Sequence, residues 1–284
     1  MIEKSINKVL FLGPIGSYSD LAKNKFSDFL KENCEFIPVN SINNIMNLLC
    51  EANDYNISAV VPIENSIEGI VRETQDNLLA LSKKNIRILA ETTLLIEHSL
   101  LGFCDKTEVK SIVSHPQALA QCSNFINKNW NDINLIPALS TSAAVNSLTK
   151  EEQTKVAIGN FYSANLYNIP VIEEKINDEK NNTTRFILLS KITPQKSIDN
   201  KMSIIFSTEN IVGALNKVLL ILEKYNLNML YIDSRPSKKN LGEYVFYVDF
   251  SGFIEDSNVK LALVELQPYV KLFDVLSEGA FIIK

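Results

Sequence analysis

Short apolar runs separated by polar turns and helix-periodic stretches fill the first two-thirds of the chain. Val9-Leu10-Phe11-Leu12 is apolar throughout, as a strand covered on both faces would be. Behind it, Gly13-Pro14-Ile15-Gly16-Ser17-Tyr18-Ser19-Asp20 reads as a tight turn with Ser17 and Ser19 as helix caps, leading into a helix over 21–30. The cadence then repeats. Strands are predicted at 36–39, 57–61, 86–96, 111–113, 155–158 and 186–189, while 135–139 leads into the hydroxyl-rich stretch at 140–142 and 171–176 precedes residues 182–186. Helical or turn segments are predicted at 42–51, 74–81, 116–127, 143–148 and 163–166, with Pro116 suited to a first helical turn. This alternation argues for an α/β unit with largely parallel sheets.

A polar stretch at 193–200, containing Pro194, reads as a linker, and the pattern changes after it. A strand at 202–206 precedes a helix whose Leu215, Val218, Leu219 and Leu222 follow the i, i+3, i+4, i+7 spacing. Strands at 228–235 and 244–250, a helix at 258–264 and a strand at 270–275 complete a βαββαβ, ferredoxin-like unit. It offers no acid–base pair, which suggests oligomerisation or the binding of a small regulator.

Composition narrows the function. The 284 residues suffice for two domains, and 46% hydrophobic with 21% charged residues is an ordinary globular balance. A net charge of -5, with no block of like charges, gives no footprint for nucleic acid. No apolar run approaches the ~18 residues a membrane helix needs. The run at 9–12 has no small-residue cleavage site behind it, so it reads as a strand rather than a secretion signal. Cys34, Cys50, Cys104 and Cys122 form no CxxC pair, and only His98 and His115 could join them. That is no zinc or iron–sulfur pattern, and the thiols read as the reduced cysteines of a cytoplasmic protein. GxGxxG and GxxxxGKS are both missing from the sequence. Chemistry without metal or cofactor, or a binding function, is what this leaves.

In open α/β sheets a ligand sits beyond the carboxyl ends of the strands. Hydroxyls and amides cluster there, at 16–19, 64–66, 114–121 and 140–142, and Gln117 and Gln121 share a helix face. Several of these clusters start helices, whose N-termini favour an anion by roughly 0.3–1 kcal/mol each. With an arginine nearby they suggest a small polyanion, most simply a dicarboxylate. Asn182-Thr183-Thr184-Arg185-Phe186 reads as a polar turn at the mouth of the strand at 186–189. There Arg185 would grip a carboxylate with its planar fork, and Thr184 would donate a proton or a hydrogen bond. His115 reads as ordering a helix start, His98 as structural, and Cys122 as a small core residue.

In this order, the stretches resemble the prephenate dehydratases that carry a C-terminal ACT regulatory domain. The resemblance rests on residues 11–19, Pro62-Ile63-Glu64-Asn65-Ser66 with Gly69, Ser114-His115-Pro116-Gln117 with Gln121-Cys122, Ser140-Thr141-Ser142-Ala143-Ala144 and residues 182–186. Gly213-Ala214-Leu215 and Ser234-Arg235-Pro236 carry it into the C-terminal part. It implies a catalytic domain over 1–192, two-lobed like the periplasmic binding proteins, and an ACT domain over 201–284. The implied reaction converts prephenate to phenylpyruvate with loss of water and carbon dioxide, toward L-phenylalanine and without a cofactor.

The family's signature threonine falls on Thr184. The expected roles are then Thr184 as leaving-group donor, Arg185 as carboxylate anchor, and Glu64, Asn65, Ser114 and Gln121 as positioning groups. Ser17, Tyr18, Ser140, Thr141, Asn182 and Phe186 would complete the substrate site. Gly213, Ala214, Leu215, Asn228, Asp233, Ser234, Arg235 and Pro236 would hold L-phenylalanine as a feedback inhibitor. Val212 stands where many relatives have proline, and Asp233 where the regulatory motif usually has the longer glutamate. No chorismate mutase segment precedes Val9, so the monofunctional form is expected. ACT pairing implies a homodimer or homotetramer. An arogenate dehydratase and a non-catalytic sensor of aromatic ligands are the alternatives.

Overall fold

The computed structural model describes residues 6–52, 56–237 and 243–283. Up to the chain's midpoint the strands are β1 (Ile6–Leu12), β2 (Leu30–Val39), β3 (Ile57–Asn65), β4 (Gly69–Ile70), β5 (Arg87–Leu95), β6 (Ser99–Gly102), β7 (Ser111–Ser114) and β8 (Asn134–Pro137). Then follow β9 (Lys155–Gly159), β10 (Val171–Glu173), β11 (Thr183–Ser190), β12 (Asn200–Ser207), β13 (Met229–Pro236), β14 (Tyr244–Ser251) and β15 (Leu272–Ile283). The α-helices are α1 (Tyr18–Lys25), α2 (Ile42–Glu51), α3 (Arg72–Ser82), α4 (Pro116–Gln121), α5 (Ser123–Asn129), α6 (Thr141–Asn146), α7 (Phe161–Tyr167), α8 (Ala214–Lys224) and α9 (Ser257–Leu266).

Two sheets result. The smaller, in the order β10-β6-β9-β7-β8, is built within residues 99–173. The larger runs β13-β14-β12-β15-β5-β11-β3-β1-β2, with β4 beside β3. The chain leaves the larger sheet after β5 and returns at β11, so two crossing segments, 96–98 and 174–182, join the two bodies. Because it returns from the far side, β11 runs antiparallel to both β3 and β5. Parallel pairing is confined to β1 with β2 and β3, β7 with β8 and β9, and β15 with β5. The expectation of largely parallel sheets is corrected to mixed ones.

β12-α8-β13-β14-α9-β15 follows the expected βαββαβ order, and α8 and α9 pack with its strands around Phe206, Phe250 and Leu266. Its sheet is not separate, however. The expected last strand ended near residue 275, but β15 continues through Gly279, whose φ of +130° few other residues adopt. Phe281, Ile282 and Ile283 then pair with Ala90, Glu91 and Thr92. One apolar core accordingly crosses the seam: Ile205, Tyr247 and Leu276 share it with Ile45, Leu78 and Ile187. No helix among the described residues is long and apolar enough to cross a membrane.

Candidate active site

A cleft of about 380 Å³ lies between the two sheets. From the larger sheet's side it is lined by the β1–α1 turn with Ser17, Tyr18 and Ser19, by Asn65 at the end of β3, and by Thr184 and Phe186 of β11. From the smaller sheet's side come Gln117 and Gln121 of α4 and Ser140 and Thr141 at the start of α6. Ile96, His98 and Asn182, on the crossing segments, also line it. Nine of the expected residues therefore meet in one place: Ser17, Tyr18, Asn65, Gln121, Ser140, Thr141, Asn182, Thr184 and Phe186. They converge because the strand ends of both sheets open toward the same gap, as in other α/β clefts.

A chain of amide hydrogen bonds fixes the polarity of this site. The backbone N–H groups of Ile67 and Glu68 both donate to Asn65 Oδ1 at 3.0 Å. Asn65 Nδ2 must then point the other way, and it donates to Asn182 Oδ1 at 2.7 Å and to Thr184 Oγ1 at 2.9 Å. Asn182 Nδ2 in turn donates to Gln121 Oε1 at 3.3 Å. Two consequences follow. Thr184 accepts from Asn65, so its own O–H proton is free to point into the cleft. Gln121 presents its Nε2, buried and without a hydrogen-bond partner in the protein, as a spare donor.

Three expected residues are not there. The strand begins at Thr183, not at Phe186, so residues 183–186 alternate faces rather than forming a turn. Thr184 and Phe186 face the cleft, and Arg185 faces the opposite side. Its Nη1 lies 2.9 Å from Asp249 and 3.8 Å from Glu91, its Nε 3.5 Å from Glu64, and its guanidinium 5.3 Å from the Tyr231 ring. Lys201 joins the cluster, 3.3 Å from Asp249 and in contact with Glu91. Burial opposes charge on Arg185, but Asp249 and Glu91 overrule it and strengthen its hold on the proton. Glu64, one residue before Asn65, is paired across the ladder from Arg185 and faces the same way. Ser114 is fully buried and donates to the Ile158 carbonyl at 2.7 Å, tying β7 to β9. Arg185, Glu64 and Ser114 are thus corrected from cleft residues to supporting ones.

The β1–α1 turn is stapled across the cleft. Asn160 Nδ2 donates to the Gly16 carbonyl at 2.9 Å, and Tyr167 OH and Ser142 Oγ donate to that of Ile15. Tyr162 OH donates to Asp20 at 3.0 Å, which also accepts from Gly16 N–H and pairs with Lys23 at 2.8 Å. Gly16 has φ +85°, and a Cβ there would sit 2.6 Å from Ser142 Oγ. Only glycine fits this closed approach.

Two imidazoles that read as structural also line the cleft. His115 does order its helix: its Nδ1 accepts from Gln117 N–H at 3.3 Å. His98 is 3% exposed and sits between Tyr18 and Gln121. Nothing local in the sequence around His98 marks it, because both neighbours come from distant helices.

The expected regulatory residues are dispersed in the single chain. Gly213 caps α8 with φ +80°, Ala214 and Leu215 begin that helix, and Asn228 lines a cavity with Leu222 and Asn226. Asp233, Ser234, Arg235 and Pro236 lie on edge strand β13. Asp233 accepts from Gln75 at 3.0 Å, and Arg235 lies 3.5 Å from Asp76, so both are engaged with α3. Among the described residues no group of three or more His, Cys, Asp or Glu is placed to hold a metal ion.

Residues 9–194 match the family model described as prephenate dehydratase. A prephenate dehydratase of Methanocaldococcus jannaschii is 43% identical over 245 residues, covering 85% of this chain and 87% of its own. The crystal structure of an Arthrobacter aurescens prephenate dehydratase in complex with L-Phe superimposes with a TM-score of 0.81 at 28% identity, covering 95% of this chain and 88% of that one. The Staphylococcus aureus prephenate dehydratase gives a TM-score of 0.80 at 27% identity, covering 96% and 99%. By the family model over residues 9–194 and the relative 43% identical over most of both chains, the chain belongs to the prephenate dehydratase family.

Proposed function

We propose that the cleft converts prephenate to phenylpyruvate in the cytoplasm. In this reading 1–192 form a catalytic domain of two lobes like the periplasmic binding proteins, and 201–284 form an ACT regulatory domain. The ring carboxylate leaves as carbon dioxide, and its bonding electrons pass through the ring. The ring becomes aromatic and the hydroxyl opposite is expelled, leaving as water once it gains a proton. Aromatisation drives the reaction, so the enzyme's task is to orient the substrate and assist the leaving oxygen. A general acid contributes roughly 10²–10⁴-fold. The observation that carries the reading is the Asn65–Thr184 contact at 2.9 Å, which reserves the threonine proton for the leaving oxygen. In this reading the hydroxyls of Ser140 and Thr141, with the amide of Gln121, hold the carboxylates and the keto group.

The lining favours prephenate over arogenate as the substrate. No aspartate or glutamate lines the cleft among the described residues, so the ammonium group of arogenate would have no counter-charge. The expected result is a kcat/KM at least tenfold higher on prephenate, measured for both substrates by product formation. A preference for arogenate would overturn this choice.

Regulation by L-phenylalanine is proposed for the C-terminal unit, supported by the relative solved with L-Phe. Because Asn228 and the 233–236 strand are dispersed in one chain, the inhibitor would bind where a second copy completes the site. Edge strand β13, with Leu230 and Ile232 exposed, is the surface such a dimer would use. Size-exclusion chromatography and turnover with added L-phenylalanine test both statements. A monomer, or unaltered turnover, would remove them.

A further inference from the structure

A dicarboxylate substrate poses a problem that this cleft does not visibly solve. No lysine or arginine lines it among the described residues, and Arg185 is turned to the opposite face of β11. Yet an anion of two charges must leave water to enter.

The surroundings of His98 meet that need. Gln121 Oε1 is an acceptor, since Asn182 Nδ2 donates to it, and it lies 3.1 Å from His98 Nε2. Nε2 must therefore carry hydrogen. On the other side, Tyr18 OH donates to the Glu97 carbonyl at 2.6 Å, and a backbone carbonyl can only accept. The Tyr18 oxygen thus turns a lone pair toward His98 Nδ1, 3.4 Å away. Both ring nitrogens face acceptors, an arrangement a neutral imidazole satisfies on one side only and an imidazolium on both.

We propose that His98 takes up a proton from solvent when the dicarboxylate enters, and so supplies the positive charge that no lysine or arginine brings to the cleft among the described residues. This rests on the reading of the cleft as the prephenate site. Burial holds the His98 pKa below the ordinary range, against a smaller opposing effect of the Gln121 hydrogen bond. The titratable groups around it do not reverse this. Tyr18 is held neutral by burial, reinforced by Cys122 and Glu97, and the Cys122 thiol is pushed up to about 12 by burial, then by Asp178. Glu97 is paired with Lys175 at 3.0 Å, and Asp178 is held by Ser123 Oγ and the N–H groups of Asn124 and Phe125. His115 is the second imidazole of the cleft, with Nδ1 accepting from the helix N–H. The missing counter-charge is the substrate itself.

The linkage has a definite sign. If binding raises the pKa of His98, affinity is greatest below the free-state value and falls as pH rises toward the bound-state value. Full-length protein assayed on prephenate between pH 6 and 9 should lose kcat/KM tenfold per pH unit over part of that range, through KM, with kcat nearly flat. His98→Gln, which keeps a donor toward Gln121, should lose the slope, falling below wild type at pH 6 and approaching it at pH 9.

The chain has two histidines, so ¹³C-histidine NMR of Thr184→Val with and without saturating prephenate supplies a readout that does not depend on the His98 variant folding. The His98 midpoint must move upward on binding. A flat wild-type profile, a slope unchanged in His98→Gln, or an unmoved midpoint overturns the proposal. Failure of wild type to turn prephenate over at all would instead overturn the reading of the cleft.

Discussion

Arg185 gives the clearest contest between the motif and the fold. As a carboxylate anchor, its loss should raise KM steeply. In the structure its loss strips a buried cluster of one of its two cations. Asp249, Glu91 and Lys201 are 7%, 8% and 4% exposed, so in Arg185→Met one buried ammonium would face two buried carboxylates and the nearby Glu64. Removing one partner of a buried pair costs about 3–5 kcal/mol. At about 2–4 °C per kcal/mol for a chain of this order, the melting temperature should fall by about 6–20 °C. Below the transition, KM for prephenate should stay within about threefold of wild type, because no Arg185 atom reaches the cleft. Arg185→Met/Asp249→Leu should recover part of the loss, since Lys201 and Glu91 remain as a pair and replacing both members of a buried pair is often close to neutral. The assay is a calorimetric melt together with initial-rate kinetics on prephenate. An unchanged melt with a hundredfold rise in KM would restore Arg185 as the anchor and refute the structural argument.

Other outcomes follow from the same geometry. Asn65→Asp replaces the Nδ2 donor by an acceptor, so Thr184 would turn its proton toward residue 65 and kcat should fall by about 10²-fold or more, read by phenylpyruvate formation. Gly16→Ala places a Cβ 2.6 Å from Ser142 Oγ at φ +85° and should open the staple, with a loss of roughly 1–3 kcal/mol by denaturation and a raised KM. Burial would raise the Asp249 pKa, but Lys201 and Arg185 overrule it and hold it below the usual range. Its contribution to stability is then present above the unfolded value of about 3.9 and lost as pH falls below it. Asp249→Asn should accordingly show a shallower acid limb below about pH 4 in stability measurements against pH.

The sequence made the elements legible wherever local chemistry decided them. The βαββαβ order after the polar stretch, the glycine-rich turn at 13–16 and the residues gathered at strand ends all emerge as expected. What escaped it depends on pairing. Thr183 and Thr184 read as turn because both are polar, yet β3 and β5 draw them into a ladder, and the period of two then sends Arg185 away from the cleft. Glu64 follows the same alternation. The last strand was expected over 270–275, but the positive φ of Gly279 lets β15 bend and continue onto β5. His98 is invisible as a site residue because Tyr18 and Gln121 lie 80 and 23 positions from it in the chain.

In the proposed mechanism, turnover depends on the Thr184 proton reaching the leaving oxygen. Thr184→Val and Thr184→Ser, assayed side by side on prephenate, test it most directly. Valine keeps the shape and removes the donor, and kcat should fall by roughly 10²–10⁴-fold with KM nearly unchanged. Serine keeps the hydroxyl within reach of Asn65 and should hold kcat within about tenfold of wild type. A folded Thr184→Val enzyme with kcat within a few-fold of wild type would contradict the mechanism.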